Sequence, residues 1–151
     1  MINFYQIIFL NFILIIIIFL LKMINPTALS DLFKKAINKG IETIFISTLS
    51  GGILCMEGKE LNKTILDILS AMWIEYYQVE ETYLNQDKLN YLLIENDTSN
   101  VLTSNLYGYI ITIIANKKFK LGLLKYHLEN IVNFLSITLD PYKDVLLSKN
   151  D

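Results

Sequence analysis

Cysteine and histidine, two residue types that recur in catalytic and metal sites, are scarce in this sequence. Cys55 is the only cysteine and His127 the only histidine, so one chain can build neither an internal disulfide nor a zinc site of thiolates and imidazoles. With one histidine and no G-x-S-x-G turn, a hydrolytic triad is not expected. We interpret Cys55 as a small hydrophobic residue of a strand and His127 as a surface or capping residue of a helix.

A glycine-rich stretch, GGILCMEGKE, superficially resembles a phosphate-binding loop. That motif needs four residues between its glycines, and a Ser or Thr after the lysine to reach magnesium. Here five residues separate Gly52 from Gly58, and Glu60 follows Lys59. We therefore interpret the stretch as a turn and a strand, and we expect no cofactor and no metal ion.

Charge and composition exclude other classes of protein. The 13 basic and 15 acidic side chains give a net charge of −2 over 151 residues, and the lysines form no cluster larger than a pair, so nucleic acid is not an expected partner. Glu75, Glu80 and Glu81 lie close together, but nothing near them indicates a cleft that would perturb their pKa values. These glutamates fit a solvated helix face. The length of 151 residues fits one domain.

Hydrophobic periodicity predicts the element order α-β-β-α-β-β-β-α in an α/β (α+β) fold. The first helix starts near Pro26 and ends before Gly40, and two strands flank the turn at Gly51 and Gly52 as a hairpin. The later elements are the helix LNKTILDILSAMWIEYYQVEE, the strands KLNYLLIEN, VLTSNL and YIITIIAN, and the helix FKLGLLKYHLENIVNFLSITLDP, which ends before Pro141.

The middle helix is apolar on two sides. One stripe consists of Ile65, Ile68, Met72, Tyr76 and Val79, and the other of Leu66, Leu69, Trp73 and Tyr77. A helix apolar on two sides is buried on two sides, and a domain of this size has little material to cover it twice. Either the helix lies wholly inside a larger core or one stripe faces a partner molecule, and we favour the partner.

An apolar run precedes the domain. It extends from Phe4 to Leu21, which reaches the lower end of the roughly 17–25 residues that cross a bilayer. No basic residue precedes it and no small-residue cleavage site follows, so a cleaved signal peptide is not expected. We divide the chain into a hydrophobic leader at 1–22, a domain at 23–145 and a tail at 146–151. The leader is either an anchor or sequence upstream of a start at Met23.

Four stretches of the domain carry a family resemblance: MINPTAL, MWIEYY, NQDKLNYLLIEN and LGLLKYHLENIVNFL. They resemble the Roadblock family, and within it the Roadblock subunit of the Ragulator complex. The resemblance implies a Roadblock/profilin-like fold, in which a five-stranded antiparallel sheet has the first and last helices on one face and the middle helix on the other. It also favours translation from Met23, because in that family the proline of the first helix follows the initial methionine at this spacing.

The resemblance also implies a function. It predicts a non-catalytic scaffold that forms a heterodimer with a second Roadblock-family subunit, joins other Ragulator subunits, and holds Rag-type small GTPases and the MAP-kinase cascade on the cytosolic face of late endosomes and lysosomes. Such a complex supports the amino-acid response of TOR kinase. The chain would be peripheral, attached mainly through a lipidated partner and possibly through residues 4–21.

Three alternatives stay open. The chain could be a Roadblock-type dynein light chain that links motor to cargo, a GTPase-regulating protein with exchange or activator activity, or an integral membrane protein with a cytosolic domain. The sequence contains no arginine, so it cannot itself supply an arginine finger to a GTPase.

Family members pair through the middle helix and the strand after it, which joins two sheets edge to edge. We assign the Trp73 stripe of the helix and alternate residues of that strand to the partner, because Trp and Tyr are common binding anchors. Ile68 and Met72 are then expected to face the sheet. The predicted interface consists of Leu66, Leu69, Trp73, Tyr77, Leu89, Tyr91 and Leu93.

If translation starts at Met23, deleting Phe4 to Leu21 is expected to leave partner binding unchanged and to improve solubility. The reason is that the predicted domain begins after this run. Intact-mass measurement of the endogenous protein checks the start directly, and a mass that includes the whole leader would contradict this prediction.

Overall fold

The computed structural model describes residues 26–37, 40–83 and 89–147, so the predicted leader lies outside the described residues. The helices are α1 (Pro26–Ala36), α2 (Lys63–Tyr83), α3 (Leu121–Leu139) and the short α4 (Lys143–Leu147), with a 3-10 turn at Asp140–Tyr142 before α4. The strands are β1 (Ile41–Thr48), β2 (Ile53–Gly58), β3 (Leu92–Glu95), β4 (Ser99–Leu106) and β5 (Tyr109–Asn116). The predicted order α-β-β-α-β-β-β-α is confirmed, with α4 as an addition.

The strands form one five-stranded sheet in the order β2-β1-β5-β4-β3, and all four pairings are antiparallel. β1 and β2 form the predicted hairpin, in which Gly51 takes a φ of 85° that suits a residue without a side chain. β5 lies in the middle of the sheet and is buried from Ile110 to Ala115. This explains its nearly continuous apolar sequence, which is typical of a strand covered on both faces.

Helices cover both faces of the sheet. On one face, α1 packs through Leu29, Phe33 and Ala36, and α3 packs through Leu124, Leu128, Ile131, Leu135 and Leu139. On the other face, α2 packs over a smaller cluster made of Phe45, Leu66, Leu69, Val101 and Ile114. The predicted arrangement, with two helices on one face and the middle helix on the other, is confirmed.

Trp73 fixes α2 to the sheet. Its side chain is only 1% exposed, and its indole N–H donates a hydrogen bond to the hydroxyl of Thr103 on β4 at 3.3 Å. The hydroxyl of Thr112 on β5 donates to the same Thr103 oxygen at 3.1 Å. Burying an indole N–H without an acceptor costs free energy. The two threonines supply that acceptor, so the centre of the sheet binds this tryptophan side chain specifically.

The strand KLNYLLIEN is shorter than predicted. Its ladder with β4 covers only Leu92 to Glu95, and residues 84–88 lie outside the described part of the chain. Just before the strand, the Ser104 hydroxyl donates to the carbonyl of Asn90 at 2.7 Å. A side chain therefore satisfies that backbone group where a longer strand would use a ladder hydrogen bond.

Replacing Trp73 by Ala is expected to lower the free energy of unfolding by about 3–5 kcal/mol, since it leaves a large cavity between α2 and the sheet. Replacing Ile68, which is 50% exposed on the same helix, is expected to cost less than about 1 kcal/mol. Urea denaturation of both variants measures the difference. Equal losses would mean that α2 does not pack through Trp73.

Candidate protein-binding surface

The side chains considered first for chemistry, Cys55 and His127, lie on separate elements, β2 and α3. Among the described residues, no group of three or more His, Cys, Asp or Glu side chains could hold a metal ion. Cys55 lies half-buried on β2, where burial and the nearby Glu57 raise the pKa of its thiol above the ordinary value, so the thiolate is disfavoured. His127 on α3 packs against the rings of Phe119 and Tyr126, and burial lowers the pKa of its imidazole.

The glycine-rich stretch is a hairpin. Residues Ile53 to Gly58 form β2, which pairs with β1 along its length. A phosphate-binding loop instead wraps its backbone N–H groups around an anion. The interpretation of this stretch as a turn and a strand is therefore confirmed.

The predicted partner face of α2 is wrong for three residues. Leu66, Leu69 and Trp73 are buried against the chain's own sheet at 7%, 2% and 1% exposure. Tyr77, on the edge of the same stripe, is exposed, as are Tyr91 just before β3 and Leu93 within it, and Leu89 is half-buried. A role of these four side chains in partner binding stays a prediction.

The physical reason for the error is that both stripes of α2 have helical spacing and similar hydrophobicity. Periodicity shows that a helix has two apolar sides but not which side meets the sheet. The difference lies in hydrogen bonding, because the Trp73 indole has an acceptor in the threonine pair at the centre of the sheet. Thr112 interrupts the apolar sequence of β5, and that interruption was the available signal.

The exposed stripe of α2 consists of Ile68, Met72 and Val79. The direction in which this stripe points follows from the position of Ser70 on the opposite flank of α2. Ser70 lies close to the β1–β2 turn, because a Cβ atom added to Gly51 there would be 3.8 Å from the Ser70 hydroxyl oxygen. Since that flank faces the β1–β2 hairpin, the stripe faces the other edge of the sheet, which is β3. Ile68 and Met72, which we expected to face the sheet, are therefore exposed on the flank of α2 turned away from the hairpin.

β3 is an edge strand with an apolar recess beside it. Within residues 26–37, 40–83 and 89–147 it pairs only with β4, so no described strand bonds the backbone groups on its outer side. On the α3 side of the sheet, Tyr91 and Leu93 line a recess of about 190 Å³ together with residues of β4 and the start of α3. The ammonium of Lys125 lies 4.9 Å from the centre of the Tyr91 ring, within cation–π range.

The turn that precedes β4 holds this edge in place. The side-chain oxygen of Asn96 accepts hydrogen bonds from the backbone N–H groups of Thr98 and Ser99 at 2.9 and 2.7 Å. At the same end of the strand, the Lys117 ammonium pairs with the Glu95 carboxylate at 2.8 Å. The short strand is thus ordered by its turn and by one exposed ion pair, which leaves its outer side available for another strand.

The helices that the structure describes include none that is both long and apolar enough to cross a membrane. The surface that stands out among the described residues is instead the open β3 edge with apolar side chains on both faces of the sheet beside it. Backbone pairing along such an edge, supported by neighbouring apolar side chains, is a common mode of protein recognition.

The element order, the sheet topology and the placement of helices define the Roadblock/LC7 fold. No known protein-family model matches the sequence. The Roadblock/LC7 domain from Streptomyces avermitilis has a TM-score of 0.62 and 12% identity, over 75% of this chain and 95% of that one.

Two further similar structures are of MglB. The protein from Myxococcus xanthus has a TM-score of 0.65 and 11% identity, over 78% of this chain and 97% of that one. A structure of MglB with a tetrameric arrangement has a TM-score of 0.64 and 8% identity, over 76% of this chain and 90% of that one. Identities this low show a shared fold, and the fold expected from the resemblance is confirmed.

Replacing Asn96 by Ala is expected to destabilise the β3–β4 turn by about 1–2 kcal/mol, because the N–H groups of Thr98 and Ser99 lose their acceptor. Hydrogen exchange of the β3 amides should speed up while exchange at β5 stays slow. Asn96→Asp keeps the acceptor and serves as the control. Equal acceleration in β3 and β5 would contradict a local role for this turn.

Proposed function

We propose that this chain is a non-catalytic scaffold subunit that pairs with a second Roadblock-family subunit. The observation that carries the proposal is the open β3 edge beside the exposed stripe of Ile68, Met72 and Val79 on α2. A partner of the same fold would extend the sheet through β3 and cover the apolar stripe with its own middle helix. The tetrameric arrangement of MglB is an example of this fold in an assembly of several chains.

We further propose that the assembly is Ragulator-like. In this proposal the pair joins other scaffold subunits on late endosomal and lysosomal membranes, recruits Rag-type small GTPases and MAP-kinase signalling, and supports the response of TOR kinase to amino acids. The support is the sequence resemblance to the Roadblock subunit of that complex together with the shared fold. Purification of the tagged chain from native membranes, followed by mass spectrometry, tests it: Ragulator subunits support the proposal, whereas dynein subunits would replace it by the motor-linking alternative.

The absence of catalysis is part of the proposal. The lack of arginine denies the chain an arginine finger, which GTPase activators commonly use to stabilise charge in the transition state. We propose that the chain contributes to GTPase regulation by positioning other subunits. Nucleotide-exchange and GTP-hydrolysis assays of a small GTPase with the purified chain test this. If catalytic amounts of the chain alone accelerate either reaction, the proposal is overturned.

Placing a carboxylate at the proposed interface is expected to weaken pairing by at least about tenfold, because an unpaired charge would be buried there. Met72→Asp and Leu93→Asp test the two faces. The chain offers matched controls at the other sheet edge: Met56 is 36% exposed against 38% for Met72, and Leu54 and Leu93 are both 41% exposed.

Pairing is measured by titration with the Roadblock partner identified in the purification, and folding by urea denaturation. Met72→Asp and Leu93→Asp should lose binding and keep most of their stability, while Met56→Asp and Leu54→Asp should keep both. If the β2 variants lose binding and the β3 variants retain it, the partner uses the opposite edge of the sheet.

A further inference from the structure

The outer face of α3 is an uncharged apolar surface on the side of the domain away from α2. Leu123, Tyr126, Phe134 and Ile137 are all exposed, and Tyr126 and Ile137 are 57% and 80% exposed. They follow helical spacing opposite the buried residues of α3, with Asn130 at the centre of the row. Within α3, all of which the structure describes, the charged side chains Lys125 and Glu129 pair with each other at 3.6 Å on the flank.

The spacing along this face is the same in both directions. From Leu123 the steps to Tyr126, Asn130, Phe134 and Ile137 are of three, four, four and three residues. An antiparallel copy of the same helix, related by a two-fold axis at Asn130, would therefore place Leu123 opposite Ile137 and Tyr126 opposite Phe134. A two-fold interface requires such self-complementarity, in which residue i meets j and j meets i.

Charges at the two ends of α3 obey the same symmetry. Lys120 immediately precedes the helix and Asp140 immediately follows it, and both are exposed. They are equally far from Asn130, so an antiparallel copy brings Lys120 of one chain to Asp140 of the other, twice. Within one chain these two residues are about 30 Å apart along the helix, so they cannot pair with each other.

We propose that the outer face of α3 binds a second copy of this chain as an antiparallel helix pair centred on Asn130. This surface is distinct from the β3 edge and the α2 stripe. One molecule can therefore use both surfaces at once, and two Roadblock pairs can join through α3. Burial of four apolar side chains per chain drives the contact, and the two Lys120–Asp140 pairs select the antiparallel orientation over the parallel one.

The central residue allows a direct test by cross-linking. The full-length chain carries Leu93→Asp, which blocks the interface proposed above, and Cys55→Ser, which removes the native thiol. Asn130→Cys in this background should form a disulfide-linked dimer under mild oxidation, because the two-fold axis brings position 130 next to itself. Lys35→Cys, an exposed position on α1, is the control and should stay monomeric.

Charge exchange tests the orientation. In the Leu93→Asp background, Lys120→Asp and Asp140→Lys are each expected to weaken self-association by about three- to tenfold in analytical ultracentrifugation, and the double variant should restore it. Asp140 also accepts a hydrogen bond from Tyr107 and lies near Lys143, so the restoration is the decisive result. Ile137→Asp should abolish the dimer, while Ile74→Asp, on an exposed part of α2, should not.

Three results would overturn the proposal. They are a monomer at all concentrations with no cross-link at position 130, equal cross-linking of the control, and a double charge variant no stronger than the single ones. In each case the proposed Roadblock pairing is judged separately, because Leu93→Asp removes it from these experiments.

Discussion

The structure depends on one constraint: a single helix must cover an entire face of a five-stranded sheet. Two helices share the opposite face, but of the helices that the structure describes only α2 shields the cluster around Phe45 and Val101 from water. Its widest side chain therefore has to point inward, and Trp73 does so with its indole N–H bonded to Thr103. Once that face is committed to the sheet, the remaining apolar residues of α2 have no place inside the domain.

The apolar residues of α2 that do not pack on the sheet lie on its flank away from the hairpin, and the sheet has an open edge at β3. Ile68 and Met72 lie exposed on the flank of α2 turned away from the β1–β2 hairpin, and at the other edge of the sheet the four residues of β3 pair, among the described residues, on one side only. Exposed apolar side chains next to free backbone hydrogen-bonding groups normally promote aggregation. A subunit that is permanently bound to a partner avoids aggregation, because the partner covers the apolar side chains and the free backbone groups together.

Much of the fold could be predicted from the sequence because it rests on local signals. The glycines of the β1–β2 turn, the apolar run of β5 and the 3.6-residue spacing of α3 each specify one element, and all are confirmed. The length of β3 could not be predicted, since nothing in KLNYLLIEN shows that Ser104 would bond to the Asn90 carbonyl. That contact joins residues far apart in the sequence.

The candidate surface was harder to predict than the fold. Hydrophobicity alone made Trp73 look like a binding anchor, and its burial depends on two threonines on distant strands. By contrast, Tyr91 and Leu93 are exposed next to the open edge, because strand alternation places them on the α3 side of the sheet, where they line a recess beside the start of α3 that leaves them partly uncovered. Sequence periodicity identifies which residues share a face, whereas the choice between core and partner depends on tertiary contacts.

The burial of Trp73 also determines what can be seen spectroscopically. It is the only tryptophan in the chain, and it is 1% exposed between α2 and the sheet, with Tyr77 as an exposed aromatic neighbour at 6.3 Å between ring centres. Its fluorescence should therefore shift strongly when the sheet separates from α2 and change little when a molecule docks on the outside. The protein carries an intrinsic probe that reports unfolding and is nearly silent to association at surfaces away from Tyr77, such as the outer face of α3, so the two processes can be followed independently in one sample.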